Sequence, residues 1–416
     1  MFIYLPRSTV PVVCGRFQQV ETVGGQRVGR YTYGQSYTAN PGRVALDPIG
    51  LPVRRGTFPP VVTLGGVYGA LRDAGPDAWG RVVIERARGT REALPEIEYL
   101  LAAGDDRTGA LAFGRQKDAP AASRGHQKMV ALPELLEAAE LVEGEAPLTP
   151  EVQRAAELLL HGLTMGGTRP KALVEDDGAQ WIAKFPAKTD RWNVAAVEAG
   201  LLTLAERCGM HVPAVRTERV AGKPVMLVQR FDRQRTDAGY LRSRYLSALT
   251  LLNADEIWSL DWSYLKLVDE VRRRSAAPDE DRRELYRRMV FNALVSNSDD
   301  HPRNHAMISW AEEDWRLSPL FDVVPSGHAG SLERDLALIA GHHGRSARRA
   351  NLVSAASEFR VTPDEAHGLI DQMKALLSAE WQAAFRRFGA SAGDLEALAH
   401  AIVPAGFEDA VPPPSA

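Results

Sequence analysis

The chain has 416 residues, 45% of them hydrophobic and 25% charged, with a formal net charge of −3 at neutral pH. That length suffices for two or three domains with sizeable cores, and the composition is that of an ordinary globular protein. The charge gives no electrostatic reason for the whole chain to bind nucleic acid, although locally basic faces stay open. The opening stretch Met1 to Arg7 lacks a charged segment followed by an apolar core, and no apolar run of about 18 residues occurs. A soluble, cytoplasmic protein without a membrane partner is expected. Cys14 and Cys208, the only cysteines, exclude a disulfide framework and a cysteine zinc site.

Residues 1 to about 60 carry short β-like runs, such as Pro11 to Cys14 and Gly29 to Tyr33, punctuated by glycine and proline. A turn from Asp73 to Gly80 leads into a helix over Arg81 to Arg88, and a second helix spans about Pro95 to Ala103. Gly104 to Gly109 reads as a loop feeding a strand, Ala110 to Phe113, with Asp105 and Asp106 in a solvated turn. The polar stretch Lys117 to His126 reads as a surface loop or linker, so residues 1–125 are expected to form an N-terminal mixed α/β domain.

Thr149-Pro150-Glu151 is a helix start, with a capping hydroxyl, proline at the first helical position and an acid near the positive end of the dipole. After Gly162 comes a loop from Leu163 to Lys171 in which Gly166 and Gly167 permit close backbone approach to an anion. Strands follow at Lys171 to Val174 and Gln180 to Phe185, joined by the hairpin turn Asp176-Asp177-Gly178. Lys184 lies near the end of a strand fit for burial and needs an anionic partner. Glu198 is a candidate, beside the apolar stripe of a helix from Asn193 to Cys208 that Gly209 stops. Strands at 214–217 and 225–228 then run into the polar connector Gln229 to Arg233. This order, glycine loop, strand, lysine strand, helix, two strands, connector, parallels a kinase small lobe and hinge, placed at 149–233.

Residues 234–410 read as a helical lobe, with helices at about Ser247 to Asn253, Asp261 to Arg274 and Asp279 to Ser296. The last buries Leu285, Met289, Ala293 and Leu294, and Arg282, Arg283, Arg287 and Arg288, interleaved with acids, form a solvated face. Behind it stands a dense polar cluster, Ser296 to His305. Its Asp299-x4-Asn304 spacing matches the kinase catalytic loop, where the aspartate handles the substrate hydroxyl and the asparagine holds a metal. A strand at Ala306 to Ser309 precedes the apolar run Leu317 to Pro325, in which Asp322 calls for a metal or a hydrogen-bond network. Helices at about Thr362 to Phe388 and Ala392 to Ile402 close the lobe, before a frayed tail.

Taken together and in order, the motifs resemble the HipA family of serine/threonine kinase toxins of bacterial type II toxin–antitoxin systems. The matching segments are Pro76 to Gly80, Asp105 to Leu111, Gly166 to Ala172, Lys184-Phe185-Pro186, Gln229 to Arg233, Asn297 to Asn304 and Leu317 to Asp322. The resemblance implies an α+β protein, an N-terminal mixed α/β domain followed by a bilobal protein-kinase-like core with a helical C-terminal lobe. It implies that ATP and Mg²⁺ are the cofactors. Lys184 would contact the α and β phosphates beside the Gly166-Gly167 loop, and Gln229 to Phe231 would form the adenine-side hinge. Asp299 would be the catalytic base, with Asn304 and Asp322 on Mg²⁺. Thr164, three residues before Gly167, would be the regulatory phosphorylation site. The implied partners are a helix-turn-helix antitoxin, which would supply the DNA contact, and a protein substrate such as an aminoacyl-tRNA synthetase. The absence of His-Arg before Asp299, of Asp-Phe-Gly after Phe321 and of G-x-G-x-x-G sets the chain apart from eukaryotic-type kinases. Two other readings stay open: a metal-dependent hydrolase built on Asp299, His301, His305 and Asp322, and an inactive kinase-like binding module.

Overall fold

The computed structural model describes residues 1–117, 127–144, 147–160, 167–256, 262–326 and 335–411. The chain divides into two compact units, the first made of residues 1–187, 219–255 and 308–314 and the second of 188–218, 256–307 and 315–416. Both mix helix and strand. Among the described residues no helix is long and apolar enough to cross a membrane.

In the first unit, strand β1 (Phe2–Tyr4) pairs antiparallel with β2 (Pro11–Val13), while β3 (Gly15–Glu21) and β4 (Arg27–Tyr33) form a separate hairpin. Helices α1 (Ala78–Ala87) and α2 (Glu96–Ala102) follow, and β5 (Leu111–Ala112) returns to the other edge of β1. Helix α1 starts three residues before the expected Arg81, because the Asp77 side chain accepts a hydrogen bond from the Gly80 amide at 2.6 Å and caps the helix there.

Four neighbouring strands of a second, five-stranded sheet run in the order β6 (Gln127–Lys128), β7 (Lys171–Asp176), β8 (Ala179–Lys184), β9 (Lys223–Gln229), with β6 parallel to β7 and the other two pairs antiparallel. The β7–β8 turn has Asp177 and Gly178 at φ 45° and 73°, the left-handed pair that suits the twist of a tight hairpin. A Cβ at Gly178 would also sit 2.7 Å from Arg235 Nη1. Gly178→Ala is therefore expected to cost about 1–2 kcal/mol, read as a lower urea midpoint.

Sequence reading passed over helix α3 (Leu132–Glu143), which packs with α4 (Pro150–Leu158). The apolar face of α3, Leu132, Leu135, Leu136, Ala139 and Val142, recurs at three- and four-residue spacing and enters one core with Trp79, Val83 and Ile84 of α1 and Val174, Ala183 and Leu227 of the sheet. Residues on both sides of the 118–126 stretch thus share that core. The segment after β9 carries a further hairpin, β10 (Arg233–Thr236) with β11 (Gly239–Arg242).

Asp105 and Asp106, expected in a solvated turn, are buried, as is Arg107. Asp105 Oδ2 accepts from Tyr4 Oη at 2.7 Å and Arg242 Nη2 at 2.8 Å. Arg107 donates to the carbonyls of Ala74, at 3.0 Å, and Leu100. The partners of Asp105 lie 101 and 137 residues away, so local turn propensity lost to long-range ion pairing.

In the second unit, helix α5 (Val194–Arg207) lies against α8 (Pro363–Arg387), after α6 (Tyr264–Arg274) and α7 (Pro278–Leu294) in the chain. Gly200 makes the α5–α8 approach possible, since a Cβ there would fall 2.6 Å from Phe385 Cδ1. Gly209, at φ 79°, ends α5 while the Met210 amide bonds back to the Ala205 carbonyl at 3.0 Å. One arginine of the expected solvated face of α7 departs from it: Arg288 is fully buried, bonded to Glu284 Oε1 and, at 2.7 Å, to the Ser318 carbonyl. A guanidinium can be carried inward where both a carboxylate and a carbonyl meet it.

Candidate functional site

The polar cluster begins where α7 ends. Ser296 turns left-handed at φ 51°, and the Asn297 amide bonds back to the Asn292 carbonyl at 2.9 Å. Ser298 donates its amide to Ser326 Oγ at 2.9 Å, and the Ser326 amide reaches the Ser296 carbonyl at 2.9 Å. These bonds tie the cluster to the segment that carries Asp322.

The main-chain oxygen of Asp299 then accepts from the His301 amide at 2.9 Å and from Asn304 Nδ2 at 3.2 Å, across a 3₁₀ turn at Pro302–Asn304. The turn sends neighbouring carboxylates opposite ways. Asp300 is buried, while Asp299 is exposed.

Beneath the loop, Asp300 anchors a buried network. It accepts from Tyr264 Oη through Oδ2, and its Oδ1 lies 2.7 Å from His305 Nε2. Tyr264 Oη also meets His305 Nε2 and Asn292 Nδ2, each at 3.2 Å, and Asn297 Nδ2 donates to Asn292 Oδ1 at 3.1 Å. Burial first, then the Asp300 carboxylate, pushes the Tyr264 hydroxyl well above its ordinary value, so it stays protonated. A buried polar network of this kind favours one loop conformation, although His305 Nδ1 is buried without a partner. Asp300 therefore shapes the loop, and the hydrolase arrangement is not assembled: His305 turns to Asp300 and Tyr264. Among the described residues no group of three or more His, Cys, Asp or Glu side chains is placed to hold a metal.

The Asp299 carboxyl is open on one side, yet the protein crowded round the other removes enough water to raise its pKa. His301 opposes that shift, and the carboxylates of Asp322 and Asp300 reinforce it. Asp299 and Asp322 thus stand within electrostatic reach of each other. Asp322 is half-buried, and its backbone is left-handed at φ 60°. Asn304 is nearly buried, with its amide nitrogen held by Asp299.

Because the folded pKa of Asp299 lies above the unfolded value of about 3.9, its contribution to stability is present below that pH and is lost as pH rises through the folded value. Ionising Asp299 therefore works against the fold. Asp322→Asn is expected to lower the Asp299 titration point toward the ordinary value, measured by carboxyl NMR against pH.

The remaining expected site residues belong to the first unit. Lys184 ends β8, half-buried, opposite Met226 on one side and Lys171 on the other. Lys171 is the lysine that sinks: it is buried, with Nζ 2.8 Å from Asp77 Oδ2 and 3.2 Å from the Gly167 carbonyl. Asp77 therefore caps α1 and neutralises Lys171 at once. Gly167 is left-handed at φ 91°, whereas Gly166 and Thr164 lie outside the described residues. Glu198, on α5 of the second unit, is buried.

The connector Gln229 to Arg233 alternates. Gln229 and Phe231 are half-buried, while Arg230, Asp232 and Arg233 are buried. Asp232 accepts from Arg230 Nε and Nη2, both at 2.9 Å, from Arg233 Nη1 at 2.8 Å and from the Gly109 amide at 2.9 Å. The arginines also reach the main-chain oxygens of Arg107 and Gly109. The charged half of the connector fastens it to the 105–109 loop and leaves Gln229 and Phe231 for other contacts. The period-two spacing of Arg230 and Asp232 is the sequence signal for that division.

Residues 163–381, more than half of the chain, match the family model described as HipA-like C-terminal domain. Two curated proteins of Sinorhizobium fredii (strain NBRC 101917 / NGR234) are similar. The one named Putative kinase Y4mE is 27% identical over 165 residues, which is 38% of this chain and 38% of that protein. The one named Putative kinase Y4dM is 26% identical over 162 residues, 36% of this chain and 38% of that protein. The matches thus span less than two fifths of either relative. Among solved structures, a chain of the Shewanella oneidensis MR-1 toxin–antitoxin complex of HipA, HipB and operator DNA superposes with a TM-score of 0.62 at 15% identity, covering 93% of this chain and 92% of that one. This likeness shows the fold, the kinase-like α+β architecture expected from the sequence.

Proposed function

The chain belongs to the HipA-like C-terminal domain family, and on that premise we propose that it is an ATP- and Mg²⁺-dependent serine/threonine protein kinase acting as the toxin of a toxin–antitoxin pair. The observation that carries the reading is the placement of an exposed, charge-coupled Asp299 on a loop whose asparagine, Asn304, is bonded to it and whose neighbour in the field is Asp322. The Asp322 carboxylate and the Asn304 amide oxygen are hard oxygen donors, which suit Mg²⁺ bound together with phosphates. Asn304 Oδ1 carries no hydrogen bond among the described residues and is open for such a role.

In this reading Asp299 accepts the proton of a serine or threonine hydroxyl as its oxygen bonds to the γ-phosphorus. The bond from that phosphorus to the bridging oxygen breaks, and ADP leaves with the electron pair. Mg²⁺ held by Asn304 and Asp322 would supply neutralisation of the phosphate charge. Lys184 serves the α and β phosphates, Gly166 and Gly167 the phosphate loop, and Gln229 and Phe231 the adenine side. Desolvation and the Asp322 charge raise the pKa of Asp299, which improves it as a base. The protein substrate is taken to be a translation component such as an aminoacyl-tRNA synthetase, and the partner a DNA-binding helix-turn-helix antitoxin. The Shewanella complex, solved with HipB and operator DNA, supports that partnership.

Transfer of label from γ-labelled ATP to protein, compared between the wild type, Asp299→Ala and Asp322→Ala, tests the reading. Undiminished labelling in both variants sinks it. Phosphopeptide mapping after incubation with ATP should find Thr164 modified if that position is the regulatory switch.

A further inference from the structure

The second unit holds an open cavity of about 610 Å³ lined by the end of α5, by α7, by Val361 and by the first half of α8. None of the residues assigned to phosphoryl transfer lines it. Val361 and Met373 are buried in its wall, and Leu369 and Leu376 are half-buried beside them. The volume falls within the range of about 300–1,000 Å³ typical of small-molecule sites.

Three arginines, Arg207, Arg283 and Arg287, line the same cavity, and their partners decide what it would hold. Arg207 is paired with Glu380. Arg283 bonds Glu365 at 3.0 Å and the Arg360 carbonyl at 2.6 Å. Arg287 makes no ion pair or hydrogen bond with any described residue. One acid, Glu365, lines the cavity and is neutralised there by Arg283, and Glu284 is committed to other partners. Glu284, one turn before Arg287, is taken by the buried Arg288 and by the His211 amide. Glu365 serves Arg283 and, in a capping box, the amide of Thr362, and these bonds hold its carboxyl down at about 2.

Gly368 adds an independent sign. It sits inside α8, where glycine costs about 1 kcal/mol relative to alanine. A Cβ there would meet no described heavy atom within 4 Å. No packing reason excludes a side chain at this lining position.

We infer that this cavity binds a small amphipathic organic anion, its carboxylate or similar head on Arg287 and its apolar body against Val361, Leu369, Met373 and Leu376. Cys208, also in the lining, does not compete as an anion, since burial pushes its thiol up to about 11. The site is independent of the kinase reading.

The test titrates the full chain with 1-anilinonaphthalene-8-sulfonate, followed by its fluorescence, and competes it with decanoate. Saturable binding is expected, displaced by decanoate and untouched by ATP with Mg²⁺. Arg287→Gln should weaken decanoate binding about tenfold, the loss of one charge-assisted contact. Gly368→Leu should abolish it while the melting temperature holds or rises. Equal affinity in both variants and the wild type, displacement by ATP instead of decanoate, or no binding of either probe at millimolar concentration would overturn the inference.

Discussion

Asp299→Asn is expected to lower phosphoryl transfer by about 10²- to 10⁴-fold, the usual contribution of a positioned general base. The substitution is clean because the loop is held through the main-chain oxygen of residue 299, to which the His301 amide and Asn304 Nδ2 bond. Asparagine keeps that oxygen and the side-chain shape and removes only the proton acceptor. Single-turnover rates at saturating ATP should fall while the melting temperature stays the same or rises, because a carboxyl with a raised pKa is ionised at a cost to the fold. A variant that keeps wild-type rates would remove Asp299 from the chemistry.

Asp232→Ala is expected to destabilise the first unit by about 3–5 kcal/mol, a large share of the 5–15 kcal/mol that holds a typical domain. Two guanidinium groups, Arg230 and Arg233, would lose the carboxylate that bonds both of them in a buried site, keeping the main-chain oxygens of Arg107 and Gly109 and the field of Asp106. Burial works to raise the Asp232 pKa, but Arg230 and then Arg233 outweigh it and hold the carboxyl well below the carboxylate range. Its stabilisation is thus present above the unfolded pKa of about 3.9 and is lost only as pH falls through the much lower folded value. Urea unfolding of wild type and variant at neutral pH measures the difference. Equal midpoints would show that the cluster contributes nothing net.

Local signals carried much of this fold. The Thr149 cap, the helix that starts at Asn193, the Asp177-Gly178 turn and the Gly209 stop all stand where the sequence places them, since each depends on residues within one turn of chain. The pairing of Asp299 with Asn304 is legible for the same reason: the two are joined by one short 3₁₀ turn. What escaped was set by distant partners. Asp105 and Arg288 look like solvated charges until Arg242, Tyr4 and Ser318 are known to meet them. Helix α3 was hidden between polar stretches, though its apolar spacing is regular. The hairpin Arg233–Arg242 lies in the span read as the start of a helical lobe, and only Gly239, at φ 124°, marks its bend. Lys171 reads only as the junction of a glycine loop and a strand; its pairing with Asp77, 94 residues earlier, is visible only in three dimensions.

The left-handed backbone of Asp322 narrows the substitutions open to drift at that position. Only glycine, asparagine and aspartate adopt such a φ readily, and a β-branched or bulky residue would be strained by its backbone before its chemistry mattered. Of those three, aspartate alone brings a negative charge. A lineage that lost activity here would therefore be expected to pass first to asparagine or glycine, leaving the fold whole and the site silent. Either residue at the corresponding position of a relative would mark a binding module descended from an enzyme.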